Sequence, residues 1–204
     1  MLQVLIINGL YPDYEKNEMV KANIGMQDGK IAYIGAETPE ARQVIDAEGR
    51  VVSPGFIDIH MHEEDFVHEG KQFVIANMML EMGVTTAVGG NCGVQKQPLS
   101  VFKSVLNELG GSPVNYLILA GYNHFRTELG IGRYAHPSQA QMDELQAIMK
   151  RELAEGAYGI SFGIEYDPGI TFDEMLWAVR ASDDPHLLVS AHYRDETKKD
   201  DLFP

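Results

Sequence analysis

The chain has 204 residues, and its 45% apolar content is ordinary for one well-buried globular domain. Thirty acidic against sixteen basic side chains give a formal charge of −14, so the molecule repels polyanions and a nucleic-acid partner is excluded. No apolar run reaches the ~18 residues of a membrane span, and the first residues lack the basic segment and cleavage site of a secretion signal, so we expect a cytoplasmic protein without membrane association.

Residues 1–53 are predicted to form a small β module, because short apolar runs alternate with turn signals. The runs are 4–7, 22–26, 31–34 and 51–52. Asp28-Gly29 suits a two-residue hairpin loop, whose central residues need positive φ, and Glu48-Gly49 is a second candidate. No pattern of catalytic or metal-binding residues is visible in this module.

From residue 54 onward, short apolar strands alternate with segments of helical periodicity, which indicates βα units around a parallel sheet. We predict strands at 56–60, 85–89, 115–121, 158–162 and 187–192, with helices at 71–82 and 99–109. Two further helices are predicted to begin at capping boxes, in which Ser138 pairs with Gln141 and Thr171 with Glu174.

A closed eight-stranded barrel takes about 250 residues. Five strands in residues 54–204 therefore predict an α/β fold in which an incomplete TIM-type (β/α) barrel, about five of eight strands, follows the small β module. An open doubly wound sheet is the alternative, and it explains the histidines of the first barrel strand less well.

Two histidines, His60 and His62, lie one residue apart at the C-terminal end of the first predicted barrel strand. The period of two in a strand places both imidazoles on one face, and barrel enzymes build their active sites at this rim. Two neutral imidazoles aimed at one point form half of a zinc site. Two histidines at this spacing, taken alone, are nevertheless more often surface residues or core packing residues than metal ligands.

Two other strand ends carry residues that bind metals. Cys92 follows the second strand within Gly-Gly-Asn-Cys-Gly, and His192 ends the fifth. A single cysteine cannot form an internal disulfide, so Cys92 is a buried thiol, a reactive nucleophile or a metal ligand. His192 alone is explained equally well as a core histidine, but three strand ends with ligand-type residues favour a metal site at the rim.

Four segments resemble motifs of the amidohydrolase superfamily, and within it the branch of D-aminoacylases, or N-acyl-D-amino-acid deacylases. Residues 54–62 resemble PGFIDxHxH, and residues 83–86 and 90–93 resemble GVTT and GNCG. Residues 159–169 resemble GxSxGLxYxPG, and residues 192–196 resemble HxRxE. The likeness extends over essentially the whole chain, including the β module that precedes the barrel in that family.

The resemblance implies an enzyme that hydrolyses a non-peptide amide bond, the deacylation of N-acyl-D-amino acids, with one or two zinc ions held by His60, His62, Cys92 and His192. Zinc lowers the pKa of bound water from 15.7 to about 7 and polarises a carbonyl group. The resemblance also implies that Tyr166 donates a hydrogen bond to the developing oxyanion. The alternative is that Tyr166 is a structural residue at the rim. Arg194 would bind a substrate carboxylate. The alternative is that Arg194 forms a local ion pair with Asp195 or Glu196.

Related hydantoinases and dihydroorotases resemble the chain too, but many use a carboxylated lysine on strand four, and residues 158–164 contain no lysine. Cys92 would supply the missing anionic ligand, which favours the deacylase branch. The third-strand segment of the family, GHxxLR, reads GYNHFR at 121–126, which leaves the role of His124 open. The strand-six histidine and the late catalytic aspartate of the family are expected beyond residue 204.

Two alternatives to the deacylase remain. A cyclic amide hydrolase of the hydantoinase or dihydroorotase kind would keep the chemistry and change the substrate. A non-catalytic fragment or pseudo-enzyme would bind zinc without turnover. Unpaired strand edges in an open barrel favour self-association, so the sequence also indicates a homo-oligomer.

Overall fold

The computed structural model describes residues 1–194, and the chain forms two compact units, Met1–Pro54 and Gly55–Pro204. In the first unit, a four-stranded sheet has the order β3-β2-β1-β4. Its strands are β1 Leu2–Asp13, β2 Glu18–Gln27, β3 Lys30–Gly35 and β4 Ala41–Asp46. The pairs β1/β2 and β2/β3 are antiparallel, whereas β4 runs parallel to β1.

The turn residues of the first unit have the backbone that their sequence favours. Asp28 (φ 51°) and Gly29 (φ 71°) form the predicted loop between β2 and β3. Glu48 and Gly49 also have positive φ, but the prediction of a second hairpin there is wrong, because the chain continues along β1 in the same direction. The predicted strand at 51–52 is only an isolated bridge between Val51 and Leu10.

The second unit contains a five-stranded parallel sheet in the order β5-β6-β7-β8-β9, curled into part of a barrel. Its strands are β5 Phe56–Asp58, β6 Val84–Gly89, β7 Asn115–Gly121, β8 Gly159–Gly163 and β9 Leu188–His192. This arrangement confirms the predicted incomplete barrel with a separate small β sheet. The first strand is shorter than predicted, because it ends at Asp58 before both histidines.

Within residues 1–194, five α-helices connect or flank these strands: α1 Ile75–Glu81, α2 Leu99–Glu108, α3 Tyr122–Glu128, α4 Gln139–Ala154 and α5 Phe172–Val179. The first begins four residues later than predicted, and α3 follows β7 directly. Ser138 forms its complete capping box with Gln141. At Thr171 only half of the predicted box forms, because the Glu174 side chain turns inward instead of back to the cap. No helix among residues 1–194 is long and apolar enough to span a bilayer.

The helices α3, α4 and α5 pack over β7 and β8 around a core that includes Leu145, Met149 and Ile160, all fully buried. An ion pair lies within this layer, where Arg126 Nε donates to Glu174 Oε1 at 2.7 Å and both side chains are at most 1% exposed. Burial of charges is stable only when they are paired and hydrogen-bonded. This pair therefore joins α3 to α5 beneath the rim that carries the candidate site.

Candidate metal centre

The segment after β5 presents the two histidines on one side. The His60 backbone N–H donates to Asp58 Oδ1 at 2.9 Å, and Met61 N–H donates to Val88 O on β6 at 3.1 Å. Met61 is buried whereas His60 and His62 are exposed, so the alternation of a strand persists beyond the residues that pair. The two imidazole rings lie 6.0 Å apart between centroids, at an interplanar angle of 76°.

Cys92 lies in a short 3₁₀ turn, Asn91–Gly93, directly after β6, and its backbone is left-handed (φ 59°, ψ 25°). Flanking Gly90 (φ 72°) and Gly93 (φ 71°) are left-handed too. For a residue with a side chain this conformation costs roughly 1–2 kcal/mol, and it persists only where the surrounding contacts impose it. Ser161 of β8 is one of the residues that restrain the turn, because its hydroxyl accepts from Gly93 N at 3.0 Å and donates to Gly90 O.

Three of the predicted ligands converge. One ligand atom from each of His60, His62 and Cys92 lies within 4.8 Å of the others, and His60 Nε2 is 3.2 Å from Cys92 Sγ. The fourth, His192, places Nδ1 3.6 Å from the same sulfur. Ligand atoms around tetrahedral zinc stand about 3.3–3.8 Å apart, given metal–ligand distances of about 2.0–2.3 Å. A thiolate with imidazoles at these separations fits a zinc ion.

The protein environment favours the neutral form of the His62 imidazole and disfavours a bare Cys92 thiolate. Desolvation lowers the pKa of His62, which keeps its ring in the neutral form that binds metals. Burial raises the pKa of the Cys92 thiol, and a hydrogen bond with Tyr166 opposes part of this shift. A metal ion beside the sulfur would deprotonate it outright, so this thiol suits a ligand better than a free nucleophile.

The loop after β8 supplies two further groups. Glu165 Oε2 lies 2.7 Å from His192 Nε2, so the second ring nitrogen of this histidine is held by a carboxylate. The predicted hydrogen-bonding residue, Tyr166, has its hydroxyl 3.3 Å from His192 Nδ1 and remains 45% exposed. Glu165 was missed by the sequence reasoning, although its position next to the tyrosine was the available signal.

The structure places Arg194 beside the same loop. Its Nη1 donates to Pro168 O at 2.7 Å and its Nη2 to Ile170 O at 2.9 Å. Asp195 and Glu196, the alternative partners, lie outside the described residues. His124 lies on α3, 3.4 Å from Glu128 Oε1, and does not join the cluster of His60, His62 and Cys92.

Asn123 on α3 is hydrogen-bonded to the end of β8 and to the loop after it. Its Nδ2 donates to Gly163 O at 2.9 Å and to Asp167 Oδ2 at 2.8 Å, and its Oδ1 accepts from Gly163 N at 2.8 Å. A Cβ atom on Gly163 would overlap the carbonyl oxygen of Cys92, so only glycine permits this close approach. The cluster is thus built from contacts between the ends of β5, β6, β8 and β9.

Comparison with known proteins identifies relatives of this chain. A family model described as "Amidohydrolase family" matches residues 43–145. The D-aminoacylase of Alcaligenes xylosoxydans xylosoxydans is 26% identical over 95% of this chain and 44% of its own length. The N-acyl-D-glutamate deacylase of the same organism is 28% identical over 86% of this chain and 40% of its own.

Solved structures show the same likeness. A crystal structure of D-aminoacylase matches with a TM-score of 0.84 and 25% identity, over 96% of this chain and 46% of that protein. The N-acyl-D-glutamate deacylase of Bordetella bronchiseptica, complexed with zinc and a phosphonate mimic of the tetrahedral intermediate, matches with a TM-score of 0.80 and 27% identity over the same shares. The chain therefore spans slightly less than half the length of these relatives.

Proposed function

This chain belongs to the amidohydrolase family, and from that premise we propose that it supplies the metal-binding part of a zinc-dependent enzyme that deacylates N-acyl-D-amino acids. One observation carries the proposal: His60, His62 and Cys92 bring a ligand atom each to within 4.8 Å of the others. Imidazole and thiolate are the ligands that zinc prefers in proteins. The proposed substrate class, N-acyl-D-amino acids, is that of the related D-aminoacylase and N-acyl-D-glutamate deacylase.

The four residues His60, His62, Cys92 and His192 would hold one or two zinc ions. Zinc bound there would lower the pKa of a water molecule to about 7 and polarise the amide carbonyl. Cys92 contributes the negative charge of the site. This role fits β8 (Gly159–Gly163), which contains no lysine that could be carboxylated in its place.

The residues around the ligands orient them and the substrate. Glu165 holds His192 by Nε2 at 2.7 Å, which leaves Nδ1, the nitrogen that faces Cys92, as the metal-binding atom. The Tyr166 hydroxyl, exposed beside the same nitrogen, donates to the amide oxygen of the substrate as negative charge develops on it. Arg194 holds the loop that carries both residues through two carbonyl groups, and the remaining N–H groups of its guanidinium bind the substrate carboxylate.

The test uses the full-length protein, stripped of metal and reloaded with zinc, with N-acetyl-D-amino acids and their L enantiomers as substrates. We expect hydrolysis of the D series only. Cys92→Ala and His60→Ala should each lose more than about 100-fold in turnover, because loss of a ligand exceeds the 10–100-fold typical of groups around it. His68→Ala is the matched control, since the His68 ring is exposed and, among residues 1–194, pairs only with Asp65 at 2.9 Å.

Turnover that persists at the wild-type level in Cys92→Ala would contradict the metal assignment. Zinc binding by the wild type without hydrolysis of any acylated amino acid would favour the non-catalytic alternative. Hydrolysis of hydantoins in preference to N-acyl-D-amino acids would favour the cyclic amide hydrolase.

A further inference from the structure

A buried carboxylate lies directly beside the histidine pair. Glu63 follows His62 in the sequence and is 2% exposed. Its Oε2 accepts from Gly90 N at 2.7 Å and its Oε1 accepts from Lys96 N at 2.8 Å. These two amides bracket the turn that carries Cys92. A single side chain therefore connects the segment of the two histidines with the segment of the thiol.

We propose that Glu63 is a positioning residue that fixes the Cys92 sulfur opposite the two histidines, an inference that rests on the proposed metal site. Within the turn it holds, Cys92 has a left-handed backbone (φ 59°), a conformation that a residue with a side chain keeps only under external restraint. Glu63 supplies the restraint from the β5 side, and Ser161 supplies it from the β8 side. Loss of Glu63 alone thus loosens the turn without releasing it.

The chemistry of the contact requires a carboxylate at this position. Two N–H groups converge on Glu63, and an ionised carboxylate offers two acceptor oxygens in charge-assisted hydrogen bonds. The amide of a glutamine has one acceptor, so its NH₂ group would meet one of the two N–H donors and leave that donor buried and unpaired. The approach is close, because a Cβ atom on Gly89 would lie 2.8 Å from Glu63 Oε2.

The neighbouring residue provides a matched control. Glu64 is as buried as Glu63, at 4% exposed, and also receives two hydrogen bonds. Its Oε1 accepts from Ala76 N at 2.8 Å, and its Oε2 accepts from the Tyr116 hydroxyl. Neither donor belongs to the Cys92 turn. A general cost of replacing a buried carboxylate would appear in both variants, whereas an effect on the thiol should appear only at Glu63.

The experiment compares the wild type with Glu63→Gln, Glu63→Asp and Glu64→Gln in the full-length protein. Cobalt(II) replaces zinc, and the thiolate-to-cobalt charge-transfer absorption reports the sulfur–metal bond. In the metal-free protein, the rate of alkylation by iodoacetamide, assigned to Cys92 by peptide mass spectrometry, reports how firmly the turn encloses the thiol. The second readout needs neither metal nor turnover.

We expect Glu63→Gln to weaken cobalt binding about 10–100-fold, as loss of groups that support metal ligands does. Its charge-transfer band should weaken and its metal-free alkylation should accelerate. Glu63→Asp, which keeps both acceptors on a shorter side chain, should lie between the wild type and Glu63→Gln. Glu64→Gln should retain the wild-type band and alkylation rate.

Equal values for Glu63→Gln and Glu64→Gln in both readouts would overturn the inference while leaving the metal site intact. A wild type that binds cobalt without a thiolate band would instead overturn the proposed site and, with it, this role. If Glu63→Gln does not fold, the comparison passes to Glu63→Asp, and wild-type values there would count against the inference.

Discussion

An alanine at Gly93 is the substitution whose cost the structure defines best. Gly93 follows Cys92 with a left-handed backbone (φ 71°), which costs a residue with a side chain roughly 1–2 kcal/mol. Its Cβ atom would overlap Asn123 Oδ1 and lie 2.7 Å from Gly163 N, and overpacking of this kind costs typically 1–3 kcal/mol. We therefore expect Gly93→Ala to reduce the free energy of unfolding by about 2–5 kcal/mol.

Gly110→Ala separates the two contributions. Gly110 is also left-handed (φ 79°), but no atom lies within 4 Å of its Cβ position. Gly110→Ala should therefore reduce the free energy of unfolding only by the backbone contribution, roughly 1–2 kcal/mol. Equilibrium urea denaturation followed by circular dichroism measures both variants, with the shift in midpoint at unchanged slope reporting stability.

The steric reasoning would be refuted if the two alanine variants were equally destabilised. Such a result would mean that the Cys92 turn and Asn123 are not in close contact. A larger loss for Gly93→Ala should be accompanied by weaker zinc binding, because the displaced Asn123 and Gly163 contact the turn that carries the thiol.

Three further substitutions test other parts of the structure. Glu174→Ala should destabilise by about 3–5 kcal/mol in urea denaturation, because the buried Arg126 loses its hydrogen-bonded ion pair and is left with the longer carboxylate contact to Asp167 Oδ2 at 3.8 Å. Glu165→Gln should weaken zinc binding about 10-fold in competition with a chelating dye, because it loosens His192. Ser138→Ala should cost about 1 kcal/mol in the same urea assay, through loss of the cap of α4.

Controls and contrary outcomes differ among the three. Glu128→Ala, which removes an exposed carboxylate 3.4 Å from His124 Nε2, should cost less than about 1 kcal/mol, and parity with Glu174→Ala would contradict the buried-pair argument. Unchanged zinc affinity in Glu165→Gln would mean that His192 is oriented without the carboxylate. Ser138→Thr should retain the stability that Ser138→Ala loses, since a threonine hydroxyl caps in the same way.

Much of the barrel sheet could be predicted from the sequence, because buried parallel strands are nearly continuous apolar runs. The predicted strand at 115–121 has the bounds of β7. The sequence signal failed where tertiary contacts decide the structure. α3 contains Tyr, Asn, His and Phe, none of them a strong helix former, and it is held by Asn123 on Gly163 and Arg126 on Glu174.

The first unit shows the opposite difficulty. β4 is exposed at five of its six residues, so it carries no alternating apolar pattern, and only its pairing with β1 makes it a strand. The short apolar run at 51–52 looked more like a strand than β4 did. Hydrogen bonding to β1 makes residues 41–46 a strand, and the periodicity of the sequence does not show which segments pair in this way.

The candidate site was predicted to the extent that its residues are chemically unusual. His60, His62 and Cys92 stand out as ligand types at strand ends. Their separations could not be predicted, because the direction of the thiol depends on a left-handed backbone restrained by Glu63 and Ser161, which are 29 and 69 positions away in the chain. Glutamates are too common for their roles to be recognised before their contacts are known.

X-ray absorption at the zinc K-edge tests the central claim most directly, because it identifies the atoms bound to the metal. In the zinc-loaded protein we predict one sulfur at about 2.3 Å together with imidazole nitrogens at about 2.0–2.1 Å. Cys92→Ser should lose the sulfur contribution and retain the imidazole contribution. A wild-type spectrum with oxygen and nitrogen ligands alone would contradict the metal centre built from His60, His62 and Cys92.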